Sequence, residues 1–266
     1  MRAPLDFAQC LDTKIAYRVE GSSTGLPVVF AHALGFDNSV WDALIPLLPQ
    51  ELRLIRFDLR GHGASSTPPA PYAMGGLVRD VESLLDQLAV RDCVFVGSAL
   101  GGMVAQGLAV KRLDQIRALV LANTAPKLGT KDTWARVMEQ TKSTGMGARS
   151  QADLAQNFSP AFGRTSAITP WADLLGDRHE DGFLGCAAAI AGTDFYTTTA
   201  SLRLPSLVIA CANDTITPAD MVRELAELIP AARFHLIRKS GHLPMIEQPL
   251  AFADALTGFL RAIGHL

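Results

Sequence analysis

The 266-residue chain carries 24 basic and 26 acidic side chains, for a formal charge of −2. That balance leaves no electrostatic footprint for a nucleic acid or an acidic membrane surface, so the expected partner is a small molecule. The length suffices for a substantial core, in one large domain or two small ones. Residues 1–30 hold no positively charged segment followed by an apolar one, and no stretch reaches the roughly 18 apolar residues of a membrane span. A soluble, cytoplasmic protein is expected. The cysteines, Cys10, Cys93, Cys186 and Cys211, stand apart from one another and form no CxxC or Cys/His cluster, so they read as buried, reduced thiols.

Along the chain, short apolar runs of strand length recur at Val28 to Ala31, Leu52 to Phe57, Cys93 to Gly97, Ile116 to Leu121, Leu207 to Ala210 and Phe234 to Ile237. Between them lie segments with helical spacing, such as Leu77, Val81, Leu84, Leu85 and Leu88, or Met221, Val222, Leu225, Leu228 and Ile229. Thr217-Pro218 reads as an N-cap hydroxyl followed by proline at the first helical position. This alternation predicts an α/β fold with a mostly parallel central sheet and helices on both faces.

The alternation stops after Asn123 and resumes near Ser206. The segment between has Trp134, Val137 and Met138 at helical spacing, several Gly and Pro breaks and the alanine-rich Cys186 to Ala191, but no strand run. It reads as a helical cap over 124–204, inserted into a core made of residues 1–123 and 205–266. An insertion directly after a sheet strand lies over the carboxyl ends of the strands, where ligands bind in open α/β folds.

The chemistry is concentrated at the ends of the expected strands. Val94-Phe95-Val96-Gly97-Ser98-Ala99-Leu100-Gly101-Gly102 passes from strand to helix through a glycine-bounded turn, the context of the nucleophile elbow G-x-S-x-G. Gly97 and Gly101 set the register and make Ala99 the central residue; centring on Ser98 would put Val96 and Leu100 where small residues are needed. An acid and a histidine follow in the expected order. Asp214 stands just past a strand, and His242 follows the next strand in Ser240-Gly241-His242-Leu243-Pro244. A carboxylate there would hold the imidazole in one tautomer and stabilise the imidazolium. The loop Ala31-His32-Ala33-Leu34-Gly35 supplies the other half of an oxyanion hole, with the backbone N–H groups of Leu34 and Leu100 as its donors. His32 and the turn Asp58 to Gly63 read as architectural.

With those residues in place, the chain resembles the 3-oxoadipate enol-lactonase group of α/β-hydrolases over nearly its full length. The resemblance extends to Asn123 to Gly129, Thr133-Trp134, Phe158 to Phe162, Gly185 to Ala188 and Asp194-Phe195, which are similar to that group's cap. It departs at Ala99, where the group has serine, at Ala33, where many relatives of the fold have glycine, and at Ser98, where a larger residue is common. The resemblance implies hydrolysis of a small, carboxylate-bearing lactone, as in aromatic-compound breakdown, through an acyl intermediate on the missing serine. Trp134 would wall the substrate, and Lys127 or Arg136 would pair with its carboxylate. No cofactor or metal is expected. Alternatives are a hydrolase of another ester or lactone such as an acyl-homoserine lactone, a protein of aminoacrylate-hydrolase type with a natural alanine at the elbow, and a non-catalytic binding module. The favoured expectation is a serine hydrolase whose nucleophile has been deliberately replaced, so that substrate binds without being consumed.

Overall fold

Two strands that leave no long apolar run in the sequence open the computed structural model, which describes residues 3–266. Strands β1 (Asp6–Cys10) and β2 (Thr13–Gly21) form an antiparallel hairpin. Their full burial is confined to Ala8, Cys10, Thr13, Ile15 and Ala16, too few for a long apolar run. The remaining strands coincide closely with the apolar runs. They are β3 (Pro27–Ala31), β4 (Arg53–Phe57), β5 (Cys93–Ser98), β6 (Ile116–Ala122), β7 (Ser206–Cys211) and β8 (Ala232–Ile237).

The eight strands lie in the order β1-β2-β4-β3-β5-β6-β7-β8. The first two pairings are antiparallel and the other five parallel. Helices α1 (Met74–Gln87) and α2 (Leu100–Lys111) cross between strands, and α3 (Lys131–Asn157), α4 (Thr169–Asp177), α5 (Glu180–Ala191) and α6 (Tyr196–Ala200) separate β6 from β7. Helices α7 (Ala219–Leu228), α8 (Pro244–Glu247) and α9 (Pro249–Ala262) complete the chain.

Strands β5 and β7 are buried along their whole length, so they are apolar without alternation. Successive residues serve opposite layers. Val29 and Ala31 pack with Leu77, Leu84, Met103 and Leu225 from α1, α2 and α7, whereas Val28 and Phe30 pack with Trp41, Phe252 and Leu256. Each such fully buried aliphatic side chain contributes about 1.5–3 kcal/mol.

Strand β3 lies between β4 and β5, so the chain leaves it on one side and later returns on the other. That reversal opens a crevice at the carboxyl ends of β3 and β5. It also brings the loop after β3 beside the turn after β5, where the Gly101 N–H donates to the His32 carbonyl at 3.1 Å.

Candidate active site

Between β5 and α2 the chain reverses at Ala99, whose φ of 48° and ψ of −109° are left-handed for a residue with a side chain. Such a conformation costs on the order of 1–3 kcal/mol and persists only when its surroundings hold it. Here the Ala99 N–H donates to the Ala122 carbonyl at 3.0 Å, and Thr124 Oγ1 donates to the Ala99 carbonyl at 2.7 Å. The flanking glycines permit the reversal. A Cβ at Gly97 would lie 2.3 Å from the Gly101 carbonyl oxygen, and one at Gly101 would lie 2.3 Å from that of Ala31. Ser98 is fully buried with its Oγ unpartnered, and it does not line the cavity described below.

His242 and Asp214 meet from the loops after β8 and β7, with Nδ1 2.8 Å from Oδ2. Asp214 also accepts from the Ile216 and Thr217 N–H groups at 2.8 and 3.1 Å and from Thr217 Oγ1 at 2.6 Å. Burial alone would raise the Asp214 carboxyl; the charge and hydrogen bond of His242, with those from Thr217, outweigh it and hold the group below its usual range. The histidine is fixed by its backbone as well. Its N–H donates to the Asn157 carbonyl at 2.9 Å, and Asn123 Nδ2 donates to its carbonyl at 2.9 Å.

Thr217 is therefore not the N-cap hydroxyl expected from the sequence. Pro218 occupies the cap of α7 without a side-chain bond, and the threonine instead turns back to the carboxylate three residues earlier. A polar residue three positions after an aspartate is the local signal for such a turn.

The loop after β3 is held by two histidines. His32 Nε2 accepts from the Leu59 N–H at 2.9 Å, and His62 Nε2 accepts from the Gly35 N–H at 2.9 Å. Burial lowers both below the usual histidine value, His62 to about 3, so both are neutral acceptors that tie the β3 and β4 loops together. Among the described residues, no protein acceptor meets the backbone N–H of Leu34 or Leu100. The Leu100 group opens α2 and is one of the helix's unpaired N-terminal donors.

Ala99, Leu34, Leu100 and His242 line one cavity of about 610 Å³, together with Ala33, Thr215, Ile216 and Met221. Its remaining wall comes from the helical segment between β6 and β7, including Leu128, Trp134, Val137, Gln140 and Phe183. Trp134 lines the cavity and donates its Nε1–H to the Leu128 carbonyl. Lys127 and Arg136 do not line it. Lys127 pairs with Asp194 at 2.9 Å where both are exposed, and Arg136 Nε bonds the Asp132 carbonyl on the outer surface of α3.

The charged residues that do reach the cavity, Arg149 and Asp153, lie past a break in α3 at Gly145, where φ is 81°. Arg149, Asp153, Gln156 and Asn157 form a polar stripe at helical spacing, a signal present in the sequence but hidden among surface-like residues. Among the described residues no cluster of three or more His, Cys, Asp or Glu side chains could hold a metal, and no helix is long and apolar enough to cross a membrane.

Residues 28–255 match the model of the alpha/beta hydrolase family, and the chain belongs to that family. It is 29% identical over 252 residues to 3-oxoadipate enol-lactonase 2 of Acinetobacter baylyi, covering 94% of each chain. Among solved structures it resembles a hydrolase from Pseudomonas aeruginosa PA01, with a TM-score of 0.92 and 35% identity over 96% of this chain and 98% of that one. It also resembles the enol-lactonase from Burkholderia xenovorans LB400, with a TM-score of 0.92 and 28% identity over 96% of this chain and all of that one.

Proposed function

We propose that the cavity binds a small, carboxylate-bearing lactone or ester, and that position 99 is the nucleophile position of a serine-type hydrolase, left without its hydroxyl in this chain. The observation that carries this reading is the Asp214–His242 pair opening onto the same cavity as the strained turn at Ala99. Asp214, Ala99 and His242 then form the acid, nucleophile and base positions of a triad, with the Leu34 and Leu100 amides as the oxyanion hole.

With a serine at 99, His242 Nε2 takes the hydroxyl proton as the oxygen attacks the carbonyl, and the two amides stabilise the resulting oxyanion. Collapse expels the alkoxide or enolate, which receives the proton from His242 and leaves an acyl group on the serine. Water then attacks the acyl carbon and gives its proton to His242; collapse breaks the bond to the serine oxygen, which takes that proton back, and releases the acid. The methyl group of alanine supports neither transfer, so the chain as it stands binds substrate without this turnover.

In the same reading residues 124–204 act as a cap that closes the cavity and selects the substrate, with Trp134 as an apolar wall. Four free, buried thiols fit a cytoplasmic setting. Alanine at 99 also favours a second reading, a receptor that keeps the cavity without the chemistry. Restoring the hydroxyl with Ala99→Ser and assaying small lactones and esters separates them: hydrolysis appears in the first reading and stays absent in the second.

A further inference from the structure

We infer that Arg149 is the residue that receives the carboxylate of an anionic substrate, with Asp153 and Arg178 holding it in place. This rests on the reading of the cavity as a lactone or ester site. Among the described residues, Arg149 and Asp153 are the only Asp, Glu, Lys or Arg side chains lining that cavity. Asp153 is shared: Arg149 Nη2 lies 2.5 Å from its Oδ1 and Arg178 Nη2 2.5 Å from its Oδ2.

Two guanidinium groups therefore divide one carboxylate, and the cluster keeps one positive charge that Asp153 does not neutralise. It does so largely out of water, with the Arg149, Arg178 and Asp153 side chains 11%, 5% and 13% exposed. Arg149 Nε is buried without an acceptor, as are Nε and Nη1 of Arg178, and the Arg178 Nη2–Asp153 Oδ2 contact is an ion pair without hydrogen-bond geometry. Phe183, another cavity residue, offers its ring to both guanidinium groups, with centroids 6.0 Å from Arg149 and 4.7 Å from Arg178. An aromatic face offsets part of an unpaired cation's desolvation but does not satisfy its N–H donors.

The two arginines have different surroundings. Arg178 Nη1 lies only 2.4 Å from where a Cβ of residue 35 would stand, so this guanidinium is packed against the loop that carries Leu34. Arg149 is the one that faces the cavity. A ligand carboxylate beside Arg149 would supply the missing negative charge and an acceptor for its free donors, while Arg178 keeps Asp153 neutralised behind it. A neutral ester offers no such compensation.

The test measures binding of monomethyl succinate, a half-acid, and dimethyl succinate, its neutral counterpart, to the intact chain and to Arg149→Met and Arg149→Lys by calorimetry. Methionine keeps much of the side-chain volume, and Asp153 retains Arg178, so the cap stays folded; thermal unfolding of each variant checks this. Arg149→Met is expected to weaken the half-acid about tenfold to a hundredfold more than the diester. Arg149→Lys should restore part of that difference. Equal losses for both ligands, or no loss for either, overturn the assignment. The same comparison of kcat/KM in the Ala99→Ser background separates the two ideas. Should that protein hydrolyse neither ester, the hydrolase reading fails, and the binding ratio alone decides for or against Arg149.

Discussion

His242 Nδ1 and Asp214 Oδ2 lie 2.8 Å apart in a pocket that leaves both side chains almost fully buried, although the residue they would serve is an alanine. Serine at 99 should therefore find its base already oriented. Adding Asp214→Asn to Ala99→Ser should lower kcat by about 10⁴-fold relative to Ala99→Ser alone, because an amide holds the wrong tautomer. Steady-state kinetics of the two proteins checks it; equal rates would remove Asp214 from the mechanism.

The pH dependence of stability has a definite sign. The folded-state carboxyl of Asp214 lies below its usual range, so its contribution is complete above the unfolded value of about 4 and disappears as pH falls through the folded value. Chemical denaturation of the chain and of Asp214→Asn should show a stability gap that is largest near neutrality and narrows below about pH 4. A gap that widens on acidification would mean that the carboxyl is not held ionised.

Thr217→Val removes one hydroxyl donor to a buried carboxylate at 2.6 Å while keeping the shape of the side chain. The expected cost is about 1–3 kcal/mol of stability, measured by denaturant unfolding. A loss within ~0.3 kcal/mol would assign Asp214's environment to His242 and the backbone donors.

The elbow's tolerance differs sharply from that of an ordinary helical glycine. Gly101→Ala places a methyl group 2.3 Å from the Ala31 carbonyl and should cost at least about 3 kcal/mol or prevent folding. Gly75→Ala, on α1 with nothing within 4 Å, should instead stabilise by about 0.5–1 kcal/mol. Melting temperatures of the two variants report the contrast.

Lys127 and Arg136 should prove irrelevant to substrate charge. Their alanine variants, made in the Ala99→Ser background, are expected to shift KM for acidic and neutral lactones alike and within about twofold, since both charges are exposed and away from the cavity. A selective rise for the acidic lactone would return them to the site.

The central strands and the candidate triad were legible because each leaves a local mark. Doubly buried strands such as β5 are apolar throughout, and the spacing of Gly97 and Gly101 marks a turn that admits nothing larger. The hairpin of β1 and β2 left no such mark, since most of its side chains are exposed or only partly buried and charged residues interrupt the few that are buried. Charged cap residues were the least legible. Lys127 and Arg149 look alike in sequence, and only the break in α3 at Gly145 and the packing around Asp153 bring one of them to the cavity.

Turnover of a panel of small lactones and carboxylic esters by Ala99→Ser, set against the parent chain under identical conditions, tests the account at its centre. A gain on the order of 10⁶-fold in kcat is expected for at least one carboxylate-bearing member of the panel, the range lost when a serine hydrolase loses its nucleophile. A well-folded Ala99→Ser protein that hydrolyses none of them, or a parent chain that already turns them over as fast, would contradict the assignment of position 99.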